Sequence, residues 1–175
     1  ELWLKRRQKK VMQKDFLSKL VHLFSKENIH TAIDTAGSIP LNDSMQLIED
    51  TSLFILDIKH SNPQKYHELT GGDLNITLAN AKLLSDMGKK MWIRYVLVPG
   101  ITDNTEDIKK EAEIIAELNG LEKVVVLPYS TLGREKWKKL NYTYQLENTE
   151  PPSKELLKSA KEIFKNAGLP VSSGN

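Results

Sequence analysis

Short apolar runs alternate with longer amphipathic segments along this chain. Phe16, Leu17, Leu20, Val21 and Phe24 recur at i, i+1, i+4, i+5 and i+8, the one-sided stripe of a helix, which predicts a helix over Lys14 to Glu27. A strand follows over Ile29 to Asp34, closed by Thr35-Ala36-Gly37. A short helix near Ser44 to Asp50 leads into the apolar strand Leu53 to Lys59. Asn62-Pro63 and Gly71-Gly72 mark a polar loop. A helix then runs from Leu74 to Met87, with Gly88 as its C-cap. The third strand, Met91 to Val98, stops at Pro99-Gly100. Asp103 or Asn104 caps a helix from Glu106 to Leu118, which Gly120 closes. The fourth strand is Lys123 to Leu127, stopped by Pro128. An irregular stretch reaches Pro151-Pro152, and a last helix covers Lys154 to Asn166 before Gly168.

Runs this rich in Val, Ile and Leu predict strands buried on both faces, which means a parallel sheet beneath helices. A spacing of about thirty residues from strand to strand fits right-handed β-α-β units. A curved, barrel-like sheet and a flat doubly wound sheet both fit. Four strands cannot close an eight-stranded barrel, which typically needs about 250 residues.

Composition narrows the classes. A net charge of +2 over 175 residues gives no argument for nucleic acid. The basic cluster Lys5-Arg6-Arg7-Gln8-Lys9-Lys10 reads as a solvated arm, so residues 1–10 are set apart from a domain over 11–175. No apolar run has the length of a membrane span, and no apolar stretch follows the basic cluster as in a signal peptide, so the cytoplasm is the expected compartment. The sequence has no cysteine, which excludes disulfides, thiolate cluster ligands and thiol catalysis within it.

The polar residues gather at strand ends, where parallel α/β folds build sites. Asp57 and Lys59 are two apart and share a strand face. Buried charges need partners. Lysine beside carboxylates suits a zwitterion, and Asp34, Thr35 and Asp57 with a backbone carbonyl suit a hard cation. An internal Asp57–Lys59 salt bridge accounts for the same spacing. Arg94 shares a face with Trp92 and Val96; it either pairs with an aspartate or holds a ligand carboxylate or carbonyl. His22, His30, His60 and His67 show no metal-ligand spacing. Gly71-Gly72 is no phosphate fingerprint and reads as a loop turn or a lid.

Four segments in register carry a family resemblance. Asp34-Thr35-Ala36-Gly37, Leu56-Asp57-Ile58-Lys59, Met91 to Gly100, and Leu127-Pro128-Tyr129 with Leu132-Gly133 and Lys136-Trp137 resemble glycyl-radical enzyme activases of the radical S-adenosylmethionine family, the pyruvate formate-lyase activating type. The likeness covers about Val11 to Val171. It implies part of a (β/α)6 TIM-like barrel, with about four parallel strands and flanking helices. The implied activity is that of an oxidoreductase: reductive cleavage of S-adenosylmethionine at a 4Fe–4S cluster, to place a glycyl radical on formate acetyltransferase. The resemblance gives Asp34, Lys59 and Ser130 to the cofactor, and Arg94 and Tyr129 to the cleft. It gives Asp34, Thr35, the carbonyl of Ile55 and Asp57 to a monovalent cation. It implies a glycyl-radical enzyme as partner, with no nucleic acid and no membrane. The family's Cys-x3-Cys-x2-Cys motif is missing, Arg7-Gln8-Lys9 stands where Gly-Gly-Glu is usual, and Ser130 stands where histidine is common. The expectation is therefore a C-terminal portion lacking the cluster-binding part, inactive by itself. The alternative is a non-catalytic α/β binding module or a truncated pseudoenzyme.

Overall fold

The computed structural model describes residues 14–172, and the basic arm at 1–10 lies outside them. Five parallel strands form one sheet in sequence order: β1 (Ala32–Thr35), β2 (Leu53–Asp57), β3 (Met91–Leu97), β4 (Leu121–Pro128) and β5 (Val171–Ser172). Seven α-helices accompany them among the described residues: α1 (Lys14–Lys26), α2 (Met45–Asp50), α3 (Pro63–Thr70), α4 (Leu74–Asp86), α5 (Thr105–Ala116), α6 (Arg134–Lys139) and α7 (Lys154–Asn166). The architecture is an α/β sheet of the partial-barrel kind.

Strand parity divides the sheet into two unlike faces. Ile33, Phe54, Leu56, Ile93, Tyr95, Leu97, Val124 and Val126 are buried and pack against helices. Val21, Leu47 and Ile48 of α1 and α2 cover the β1 side, together with Leu84 of α4. Leu74, Ala81, Ile108, Ala112, Ile115, Ala160 and Phe164 of α4, α5 and α7 cover the rest. The opposite face carries Asp34, Ile55, Trp92 and Lys123 in one row, and Asp57, Arg94 and Val125 in the next. Most of these side chains are only half-buried. The expectation of strands buried on both faces is thus corrected: helices cover one face, and the other presents the polar residues.

Three elements depart from the reading of the sequence. The expected polar loop after β2 contains α3. Asn62 caps it by accepting the Lys65 N–H at 3.0 Å, Pro63 occupies its first turn, and Gly71 ends it in the left-handed region. The irregular stretch after β4 contains a 3-10 turn at Thr131–Gly133 and then α6. The fifth strand, only two residues long, gave no periodicity to read.

The turn after β1 is pegged from α4. Gly37 has φ +64, and a Cβ there would stand 2.7 Å from Leu56 Cδ1, so a side chain at this position is strained and displaces Leu56. Buried Asn80 donates to the carbonyls of Gly37 and Ile39 at 2.8 Å each and accepts the Leu41 N–H at 2.9 Å. Thr77 joins Tyr66 through a 2.8 Å hydroxyl pair beside the same turn. Asn80→Leu removes the three hydrogen bonds that tie Gly37, Ile39 and Leu41 to α4, so a loss of about 2–3 kcal/mol is expected. A lower urea midpoint at unchanged slope would show it; an unchanged midpoint would mean that the turn holds without Asn80.

Candidate functional site

The site grows out of the carboxyl ends of β1 and β2 and the middle of β3. Asp34 sits in β1, Asp57 ends β2, and Arg94 stands directly across from Asp57 in the β2–β3 register. The Arg94 guanidinium donates Nη1 and Nη2 to the two Asp34 oxygens at 2.9 and 2.5 Å, and Nε to Asp57 Oδ1 at 2.7 Å. Lys59 Nζ reaches the other Asp57 oxygen at 2.9 Å. Two carboxylates and two cations thus form one neutral chain: Asp34, Arg94, Asp57, Lys59. Burial alone would lower the Arg94 pKa, but the Asp57 and Asp34 carboxylates outweigh it and raise it above the usual guanidinium value.

Burial is graded along that chain. The Asp57 side chain is 3% exposed, Lys59 15%, Arg94 17% and Asp34 45%. Asp34 is therefore the group that solvent, or an incoming ammonium, meets first. The arrangement can exchange its internal ion pairs for those of a zwitterion at little cost in net charge. A hard cation between Asp34 and Asp57 would compete with Arg94 for the same oxygens. Thr35 Oγ1 accepts the Gly37 N–H at 3.1 Å, and Ile55 is half-buried beside Asp34 in the sheet register.

Tyr129 and Ser130 stand at the same end of β4. Tyr129 is buried; its N–H pairs with the Leu97 carbonyl at 3.0 Å and its hydroxyl with Tyr144 at 2.8 Å. Ser130 is exposed. Trp137 stacks near Tyr142 and Tyr144, with ring centroids 6.1 and 5.6 Å apart, so it anchors the excursion after β4. Trp92 lies on the uncovered face beneath Lys123, whose Nζ is 3.3 Å from the ring centroid.

A second polar cluster was missed in the sequence. Asp107 accepts from Lys65 Nζ at 2.6 Å and lies 3.5 Å from His60 Nε2, while fully buried Glu111 lies one turn further along α5. The signal was present: Ile108, Glu111, Ala112 and Ile115 form a single helical stripe, and an acid stands among its apolar members.

Sequence comparison places these strand ends in a known context. No family model matches the chain. The pyruvate formate-lyase-activating enzyme of Staphylococcus epidermidis is 41% identical over 169 residues, covering 92% of this chain and 67% of the relative. The chain belongs to the pyruvate formate-lyase-activating enzyme family. The activating enzyme of Streptococcus mutans is 39% identical over 159 residues, covering 87% of this chain and 60% of the relative. The chain thus spans about two thirds of these curated relatives or less. Among solved structures, a domain of the activating enzyme from Bacteroides vulgatus superposes with a TM-score of 0.79 at 20% identity, over 94% of this chain and 93% of that one. Streptococcus suis SuiB bound to S-adenosylmethionine superposes with a TM-score of 0.63 at 16% identity, over 89% of this chain and 33% of that one. These two likenesses show the fold.

Family membership brings one correction. An iron–sulfur character was expected to accompany the resemblance. This sequence has no cysteine, and among the described residues no group of three or more His, Cys, Asp or Glu side chains could hold a metal ion. The residues present do not fit an iron–sulfur cluster. Among the described residues no helix is long and apolar enough to cross a membrane.

Proposed function

We propose that this chain is a non-catalytic binding module of the activase fold, one that takes the amino-acid end of S-adenosylmethionine at the carboxyl ends of β1 and β2 and the middle of β3 and faces a glycyl-radical enzyme. The neutral ion chain from Asp34 to Lys59 carries the reading. Lys59 and Arg94 would receive the ligand carboxylate. Asp34, the most exposed member, would receive its ammonium, with Asp57 holding both cations in place. Thr35 and the Ile55 carbonyl border the carboxylates where a monovalent cation would sit. Ser130 stands where the nucleoside would lie, and Arg94 and Tyr129 would border the segment offered by a partner such as formate acetyltransferase. The side chains bind and orient; bond cleavage in the ligand is not assigned to them.

Calorimetric titration of the chain with S-adenosylmethionine tests this. Weak binding is expected, and Lys59→Ala should cost about 2 kcal/mol, roughly thirtyfold in affinity, the worth of one charge-assisted pair. Lack of binding by the unmodified chain, or equal binding by Lys59→Ala, would overturn the reading.

A further inference from the structure

We propose that Asn119 is a modification site: in the turn between α5 and β4 its side-chain amide is converted to an acid by attack of the Gly120 backbone nitrogen, and the change loosens the start of the β3–β4 pairing. This chemistry owes nothing to the ion chain at the strand ends.

Asn119-Gly120 is the one Asn-Gly pair in the sequence. Asn119 is exposed, and its side chain makes no hydrogen bond among the described residues. Asn62, Asn80 and Asn104, by contrast, each accept a backbone N–H. The Gly120 carbonyl accepts the Met91 N–H at 2.8 Å, but among the described residues the Gly120 N–H donates to nothing. Glycine carries no side chain to shield that nitrogen. Another residue here is strained, because Gly120 has φ +74 and a Cβ on it would run into the Lys89 carbonyl oxygen, which is backbone. The fold thus sets the least shielded of neighbours beside an exposed amide.

The reaction exchanges ammonia for water. The Gly120 nitrogen forms a bond to Asn119 Cγ, the Cγ–Nδ2 bond breaks, and ammonia leaves with the proton of the backbone amide. Water then opens the cyclic imide. Opening at Cγ gives aspartate. Opening at the backbone carbonyl gives isoaspartate, with Cβ and Cγ in the main chain. Nothing is oxidised or reduced. Both products fall on a turn that is tied on either side. The Asn119 N–H donates to the Oγ of buried Ser85 at 2.7 Å, and the Gly120 carbonyl holds Met91 at the start of β3. Leu118, just before the turn, packs against both parts of the core. The isoaspartyl form lengthens the backbone by one atom between these ties. The aspartyl form keeps the backbone but adds a negative charge past the carboxyl end of α5, where Glu117 already stands and the helix dipole disfavours it.

Peptide mapping by mass spectrometry tests this, after the whole chain is held at mildly alkaline pH, folded in one sample and unfolded by guanidinium in another. In the tryptic peptide over residues 111–123, acid forms of Asn119 should build up at least about tenfold faster than at any other asparagine of the folded chain, because glycine offers the least shielded amide. Fragmentation that separates isoaspartate from aspartate should find both, since direct hydrolysis of the side chain gives aspartate alone. Asn119→Gln, whose attack needs a larger ring, should stay unmodified. Hydrogen exchange at the Met91 amide should speed up in the converted fraction, and not in Asn119→Gln held under the same conditions. An Asn119 that converts in the unfolded chain and stays an amide in the folded one would overturn the proposal, as would aspartate without isoaspartate. Unchanged exchange at Met91 after conversion would overturn the effect on the β3–β4 pairing.

Discussion

Replacing Asp57 by alanine is expected to cost about 3–5 kcal/mol of folding stability, the penalty for breaking a buried ion pair from one side. Asp57 holds Arg94 Nε at 2.7 Å and Lys59 Nζ at 2.9 Å while its own side chain is 3% exposed. Arg94 keeps Asp34 after the change, but Lys59 loses its contact in a place where water reaches it poorly. The pair as a whole is a different matter. Two buried charges that neutralise each other contribute little beyond their own desolvation cost. Asp57→Ala combined with Lys59→Met should therefore recover part of the loss, giving a coupling energy of about 1–3 kcal/mol in a double-mutant cycle. Urea denaturation of the four proteins checks it. An Asp57→Ala variant within about 1 kcal/mol of the unmodified chain would mean that water already shares the charges, and the ion chain would then be a surface network of little consequence.

Much of the sheet could be read from the sequence because its signals are local. β2 and β3 follow from their apolar runs, and α7 over Lys154–Asn166 lies where the sequence puts its last helix. Its start carries a Ser153 side chain that accepts the Leu156 N–H at 3.1 Å, and its end precedes Gly168. The misses have physical causes. α3 is eight residues long and mostly polar, so no apolar stripe announces it, although Asn62-Pro63 is a helix-start pair as much as a turn pair. β5 is too short to show alternation. The uncovered sheet face could not be told from a buried one, because Ile55, Val96 and Val125 are apolar on it as well. Within the site, parity alone put Asp57 beside Lys59. The contact of Arg94 with Asp34, sixty residues away, depends on strand order and register, and no spacing rule supplies those. The Asp107–Glu111 face is the instructive case. A charged residue inside an apolar helical stripe is readable, but what it faces is set by the tertiary packing of α5 on the β2–α3 loop.

The unmodified chain is expected to associate with itself through α1 and the edge of β1, and charging α1 should abolish this. α1 has two apolar stripes. Leu17 and Val21 face the core beside Ile33 and Ile48. Phe16, Leu20, Leu23 and Phe24 form the other at i, i+4, i+7 and i+8, and Phe16, Leu23 and Phe24 are exposed to 64%, 60% and 36%. Ile29, just beyond the helix, is 50% exposed. Beside it, β1 pairs with β2 alone among the described residues, so its other edge presents backbone donors and acceptors. A strand edge and an apolar stripe on the same flank favour a partner that offers both, and a second copy of the chain does. Each large apolar side chain taken out of water contributes about 1.5–3 kcal/mol. Phe16→Lys with Leu23→Lys should thus weaken association by about 3 kcal/mol or more, on the order of a hundredfold in the dimer Kd. Sedimentation equilibrium over a range of concentrations reads the association. Urea unfolding of the double variant serves as the control, because both side chains point away from the core and the fold should keep its stability. A monomer at every concentration in the unmodified chain would mean that its own residues satisfy this flank. Association that survives the double substitution would move the contact elsewhere, with Leu132, 91% exposed on the excursion after β4, as the next surface to charge.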